Sequence, residues 1–157
     1  MNAQIGLKES SKTKVLALLD RTLADLSVLS QKTRNFHWNV QGPRFSELHK
    51  FFEGQYAALE VEIDETAERS RALGGRALGS MKEMLGNARL KEAGSGRIPP
   101  EDAMLSELLR DQEAFIRSLR NDADACGTAV DKGTEDFLVG MMEAHEKMAW
   151  MLRAFVS

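Results

Sequence analysis

The sequence predicts an all-α chain: a four-helix bundle with a long crossover between its second and third long helices, the crossover carrying one short extra helix. Three observations lead there. Apolar residues recur at the helical spacing of 3, 4 and 7 in four separate stretches. The chain has 3 Pro and 1 Tyr and lacks runs of β-branched residues, which argues against strands. Residues 76–100 interrupt the helical pattern with Gly79, Gly86, Gly94, Gly96, Pro99 and Pro100.

The first helix is expected from Ser11 to about His37, with Val15, Leu18, Leu19, Leu23, Leu26, Leu29, Thr33 and Phe36 on one face. Gly42-Pro43 ends that segment, because a residue before proline leaves the helical region and glycine permits the turn. The second helix is expected from Arg44 to about Leu73, with Phe45, Leu48, Phe52, Tyr56, Leu59, Ile63 and Ala67 as its buried stripe and Gly74-Gly75 as its stop. Ser80 to Leu85 is the short helical candidate inside the crossover. After Pro99-Pro100, the acidic pair Glu101 and Asp102 suits the start of a third helix, marked by Leu105, Leu108, Leu109, Gln112, Phe115, Ile116 and Leu119 and closing near Cys126-Gly127. Thr134 is a candidate N-cap for the fourth, with Phe137, Leu138, Met141, His145, Met148, Ala149, Leu152 and Phe155 in phase. Four helices with one long link between the second and third have the connectivity of a ferritin-like bundle. There is no internal repeat or boundary, so residues 1–157 read as a single domain.

Composition removes several function classes. The 157 residues suffice for a core without disulfides, and the lone Cys126 excludes an intrachain bridge and a cysteine zinc site. With 21 basic and 24 acidic side chains the formal charge is −3, a poor starting point for nucleic-acid binding. No apolar run approaches the roughly 20 residues of a membrane span, and MNAQIGLKES lacks a signal-peptide core; the expected location is the cytoplasm.

The chemistry resides in the histidines and carboxylates. A di-iron site inside one such bundle uses Glu-x-x-His pairs. The residues three before the histidines here are Arg34, Ser46 and Met142, so a site within one chain is not expected. The second helix instead carries His49 with Glu53, and Asp64 with Glu68, each pair four apart. At about 100° per residue the four fall near 0°, 40°, 60° and 100°, on one face. The two pairs are centred roughly 22 Å apart along the axis, too far for one metal ion. Two copies of the helix, antiparallel about a twofold axis, would set each His49–Glu53 against a partner's Asp64–Glu68, with Ala57 allowing close approach. One imidazole with three carboxylates suits iron or manganese better than zinc or copper, and His37 could add a second imidazole. The competing reading is that such pairs are solvated neighbours on a helix surface.

The residues themselves resemble a family. Asn35-Phe36-His37-Trp38-Asn39-Val40-Gln41-Gly42-Pro43, Leu48-His49-Lys50, Phe52-Glu53 and Gln55-Tyr56 look like the signature of the Dps miniferritins. So do Ile63-Asp64-Glu65-Thr66-Ala67-Glu68-Arg69, Arg71-Ala72-Leu73-Gly74-Gly75, and His145-Glu146-Lys147 with Ala149-Trp150-Met151-Leu152-Arg153-Ala154. The resemblance spans nearly the whole chain. It implies a hollow homododecamer with two-metal ferroxidase sites at twofold interfaces, where His37, His49 and Glu53 of one subunit meet Asp64 and Glu68 of its neighbour. It implies a ferroxidase that binds ferrous iron, oxidises it with hydrogen peroxide in preference to oxygen, and stores the ferric mineral, with no organic cofactor. The family often carries Asp where this chain has Glu53, which leaves open how the second metal position is filled.

Other candidates carry two readings each. Trp38 matches a family aromatic near the site, or is a packed interfacial ring. Asp131 and Asp136 fall where family members line acidic entry pores, or they serve with Glu135 at the start of the last helix. His145 reads as a core histidine, the methionines at 104, 141, 142, 148 and 151 as packing residues, and Cys126 as a small buried thiol. Some relatives condense DNA through lysine-rich tails, so a nucleoid-associated, DNA-protecting role is the alternative function. Here only Lys8, Lys12 and Lys14 precede or open the first helix and no tail follows Ser157, so weak or absent DNA binding is expected.

Overall fold

A computed structural model describes residues 3–156. Their elements are α1 (Glu9–Asn39), α2 (Phe45–Ala72), α3 (Met81–Asn87), α4 (Glu101–Thr128) and α5 (Lys132–Val156). These are the four long helices and the short one expected. The short helix runs from Met81 because Ser80 is its cap: the Ser80 hydroxyl accepts from Glu83 N at 3.3 Å while the Glu83 carboxylate accepts from Ser80 N at 3.1 Å.

α1 packs against α2 and α4 against α5, and contacts between the pairs show the directions. Ser30 donates to Glu60 at 2.6 Å while Gly75 meets Leu16, so α1 and α2 are antiparallel. Arg153 bonds Glu113 and Arg120 bonds Glu146, both at 2.8 Å, so α4 and α5 are antiparallel too. The shared core includes Leu19, Leu26, Phe36, Phe52, Leu108, Phe115 and Leu152, all at most 1% exposed. Closing it between the pairs, Lys32 of α1 lies buried between Glu107 at 3.0 Å and Asp111 at 2.7 Å on α4.

The α2 stripe differs from expectation. Leu48, Phe52 and Leu59 are buried, but Phe45 is 45% exposed, Tyr56 is half-buried, and Gln55, Thr66 and Ser70 lie inside. Thr66 and Ser70 can be buried because each hydroxyl bonds back to the carbonyl one turn earlier, Glu62 at 2.6 Å and Thr66 at 3.2 Å.

The crossover is pinned where it passes the bundle. Asp25, fully buried on α1, accepts from Arg89 N at 2.6 Å, Leu90 N at 2.9 Å and Arg89 Nε at 2.7 Å, while Arg89 Nη1 reaches Asp122 of α4 at 2.7 Å. One guanidinium thereby joins the crossover to two helices.

Two helix ends close in the same way. After α2, Gly74 takes φ +88°, Gly74 N bonds Arg71 O, and Gly75 N bonds Ser70 O at 3.0 Å. After α4 the same pair of bonds runs from Val130 N to Gly127 O and from Asp131 N to Cys126 O, but the residue at φ +64° is valine. A β-branched side chain is strained there, and Val130 is 72% exposed, so nothing packs against it in return. Val130→Gly is expected to raise unfolding stability by about 1 kcal/mol in urea titration; an unchanged or lower midpoint would count against the strain.

Candidate metal centre

The last turn of α1 leaves carbonyls without intrahelical partners, and α2 begins only a few residues later. His49 Nδ1 bonds the His37 carbonyl at 2.9 Å, and His37 Nδ1 bonds the His49 carbonyl at 2.8 Å. The rings stack with centroids 3.7 Å apart and planes 21° off parallel. A carbonyl only accepts, so each Nδ1 must donate. In the neutral ring the lone pair then belongs to Nε2, which has no partner among the described residues in either histidine. Backbone bonding through one ring nitrogen, with the other left as a lone pair, is how proteins prepare imidazoles as metal ligands.

Further rings hold the pair. Tyr56 meets His37 edge-on at 5.2 Å, Phe45 lies 5.2 Å from His49, and the Arg34 guanidinium sits 4.9 Å over Tyr56. By periodicity alone, Tyr56 and Phe45 belong to the core stripe. Their spacing of seven after and four before His49 was the signal that they share its side of the helix.

Glu53, Asp64 and Glu68 are exposed on α2, and none has a hydrogen-bond or ion-pair partner among the described residues. Val61 is 57% exposed between them, with Ala57 also exposed. His37 and His49 are thus brought together, and Glu53 lies one turn along from His49. Asp64 and Glu68 stay at the far end of the same face. Among the described residues of one chain, no three His, Cys, Asp or Glu side chains converge on a point that could hold a metal ion. Trp38, next to His37, is 62% exposed.

Of the two readings of Asp131, the structure carries the capping one, and it corrects the choice of Thr134 as cap. Asp131 is 3% exposed, and its carboxylate accepts from Thr134 N at 3.1 Å, Thr134 Oγ1 at 2.6 Å and Arg69 Nη2 at 3.0 Å. Asp136 is exposed. His145 is a core residue, fully buried, with Nδ1 on Gln112 Oε1 at 2.5 Å and Nε2 on Glu62 Oε2 at 2.8 Å. No sequence motif marked Glu62 as its partner.

Comparison with known proteins follows the same lines. A family profile described as ferritin-like domain matches residues 16–157. DNA protection during starvation protein 2 of Bacillus anthracis is 38% identical over 92% of this chain and 97% of its own length. A low temperature-induced protein of Nostoc is 45% identical over 97% of this chain and 85% of its own. Among solved structures, a Dps protein from Bacillus brevis superposes with TM-score 0.90 at 36% identity, covering 96% of this chain and all of that one. Dps of Vibrio cholerae, described as one of the ferritin-like diiron-carboxylate proteins, superposes with TM-score 0.93 at 31% identity, covering 99% and 97%.

Cys126 is fully buried at the end of α4, close to the carboxylates of Asp131 and Asp122. Burial, then those carboxylates, pushes its thiol up to about 12 from an ordinary 9.0. The native protein should therefore leave a disulfide reagent unreacted at pH 8 and release one equivalent once unfolded in urea. Because the folded state holds the proton longer, this contribution to stability is intact below pH 9.0 and is lost as pH rises to about 12. Rapid native labelling at pH 8 would overturn the assignment.

Proposed function

The chain belongs to the ferritin-like domain family and, within it, to the Dps proteins, and on that footing we propose that it is a ferroxidase and iron store. In this reading twelve copies enclose a cavity, and α2 helices pair antiparallel about twofold axes. His37, His49 and Glu53 of one subunit then face Asp64 and Glu68 of the next, and these five residues hold two ferrous ions. The observation that carries the reading is the reciprocal bonding of His37 and His49, which leaves both Nε2 lone pairs without a hydrogen-bond partner among the described residues. The exposed, unpaired carboxylates at positions 53, 64 and 68 support it. Imidazoles with carboxylates make a donor set that fits iron.

The chain's own residues bind and orient. The His37 and His49 rings are fixed before the ion arrives, so little ordering accompanies binding. Three carboxylates balance the charge that grows as each ion passes from ferrous to ferric. Two ferrous ions give one electron each, hydrogen peroxide takes both with two protons, its O–O bond breaks, and two waters form. Delivering the electrons as a pair avoids the hydroxyl radical that a single-electron transfer would release. Ferric ion then hydrolyses and collects as mineral in the cavity, which suits a protein whose relatives are named for DNA protection.

Protection here operates through iron and peroxide rather than through DNA contact. Of the three lysines near the start of the chain, Lys12 is 5% exposed and bonded to Glu9 at 2.9 Å and to the Ala3 carbonyl, leaving Lys8 and Lys14 outside. Two lysines on an acidic chain support only weak, salt-sensitive DNA binding.

Ferrous oxidation measured side by side with equal peroxide and with dissolved oxygen tests the protective role. The peroxide reaction is expected to be faster, and an equal or faster rate with oxygen would count against it.

Sharing of the site between chains has its own test. His49→Ala with Glu53→Gln in one variant, and Asp64→Asn with Glu68→Gln in another, should each assemble yet oxidise iron more than about tenfold slower. After joint dissociation and refolding, about half the dimers are mixed, and each mixed dimer has one intact site of two. Roughly a quarter of the wild-type fast phase should return. No recovery after verified mixing would show that the ligands act within one chain.

A further inference from the structure

Tyr56 is the one tyrosine of a chain that also has two tryptophans. It is half-buried on α2, with its ring edge-on to His37 at 5.2 Å, a normal separation for aromatic rings in contact. Trp38 and Trp150 are 62% and 61% exposed, and neither makes a ring contact with a histidine among the described residues. The Arg34 guanidinium lies 4.9 Å over the Tyr56 ring and is tied at 3.1 Å to Glu60, which Ser30 also bonds. The Tyr56 hydroxyl has no hydrogen-bond partner among the described residues, and in the single chain it is not shut off from solvent. On α2 it lies about 70° around the helix from the centre of the 49–53–64–68 stripe, beside that face rather than in it. Phenylalanine would make the same ring contacts, so packing alone leaves the hydroxyl without a role.

Resting on the ferroxidase reading, we propose that Tyr56 is a one-electron donor for sites that hold a single ferrous ion. With two ions in place, peroxide takes both its electrons from iron. With one ion it takes a single electron and splits into hydroxide and hydroxyl radical, unless a second donor is in reach. Tyr56 is the easily oxidised ring that touches an imidazole of the site. In the proposed step the ferrous ion gives one electron, and the phenol gives one electron and its proton. With a second proton from solvent the O–O bond breaks, and two waters, one ferric ion and a neutral phenoxyl radical form. The Arg34 cation over the ring opposes a positively charged ring, so the electron leaves together with the phenol proton. The open hydroxyl gives that proton a route to water. A ferrous ion arriving later returns an electron, a proton rejoins the oxygen, and the phenol is restored. Phenylalanine at this position could pack as well and could not complete the step.

Because the chain has one tyrosine, ring-deuterated tyrosine marks Tyr56 without a mutation. The assembled protein, free of oxygen, receives far fewer ferrous ions than it has sites, then peroxide, and is frozen for electron paramagnetic resonance. A phenoxyl signal is expected, with its hyperfine splitting narrowed when the ring carries deuterium. Tyr56→Phe keeps a ring against His37 and Arg34; the signal should be lost, and hydroxyl radical caught by a nitrone spin trap should rise severalfold per iron oxidised. At full ferrous loading the trapped yield per iron should be low in both proteins, because paired ions then supply both electrons. Peroxide consumed by the wild-type protein at full loading separates the two readings. A ratio other than two irons per peroxide overturns the ferroxidase reading and this inference with it. With that ratio intact, three results overturn the inference alone: no radical signal, a signal indifferent to deuteration, which would put the radical on Trp38 or Trp150, or an unchanged trap yield in Tyr56→Phe.

Discussion

The mutual bonding of His37 and His49 fixes more than two side chains. It satisfies a carbonyl that α1 would otherwise leave bare at its end, and so acts as a cap supplied by the next helix. It also sets the distance and register at which α2 starts back along α1. From there the two helices stay matched: Ser30 meets Glu60, Arg34 reaches the same carboxylate at 3.1 Å, and Gly75 admits Leu16 at the far end. Gly42 completes the link, because at φ +127° it leaves room for the Glu101 carboxylate, which accepts from Arg44 N and Nε at 3.1 Å. The turn that orients the imidazoles is thereby tied to the start of α4. A loosened His37–His49 contact would disturb the ligands and the helix pairing together.

Polar contacts of this kind do the positioning across the bundle, whereas the leucines and phenylalanines supply most of the burial energy without specifying one arrangement. Asp25 is the clearest instance. Buried carboxylates are costly unless their oxygens are filled, and here two backbone N–H groups and a guanidinium fill them. The long crossover is held at Arg89 and Leu90, so α4 can begin on the correct side of the bundle. Lys32 between Glu107 and Asp111 does the same for the α1–α4 contact. Each of these charges would be severely destabilising with its partner removed, which favours one packing over its near competitors.

The helices were legible in the sequence because their signals are local: apolar period, Gly-Pro and Gly-Gly stops, and the acidic pair that follows Pro99-Pro100. That His49, Glu53, Asp64 and Glu68 share one face of α2 was legible for the same reason, since spacing along one helix is fixed by the helix itself. What could not be read depends on which face of α2 meets which neighbour. A stripe through Phe45 and Tyr56 scores better by hydropathy than one through Gln55, Thr66 and Ser70, yet the second is buried. Back-bonded hydroxyls cost little inside, and the aromatics are needed around the histidines. Asp131 was ambiguous because a capping carboxylate and a pore carboxylate look alike until burial separates them. Glu62 and His145 lie 83 positions apart, beyond the reach of any spacing argument.

The division of the candidate site follows from the same geometry. A straight helix cannot bring residues 53 and 64 to one ion, so a chain that places its ligands at both ends of α2 can complete a centre only by pairing. Such a chain folds without metal, since its core and its buried ion pairs involve none of the exposed carboxylates. Three unpaired carboxylates on a shared face repel across a twofold axis until cations lie between them. In the proposed pairing, ferrous ions therefore relieve a strain that assembly itself creates, and each chain alone holds iron weakly. That combination suits an ion that is substrate rather than fixture, because it must be captured, oxidised and released to the mineral.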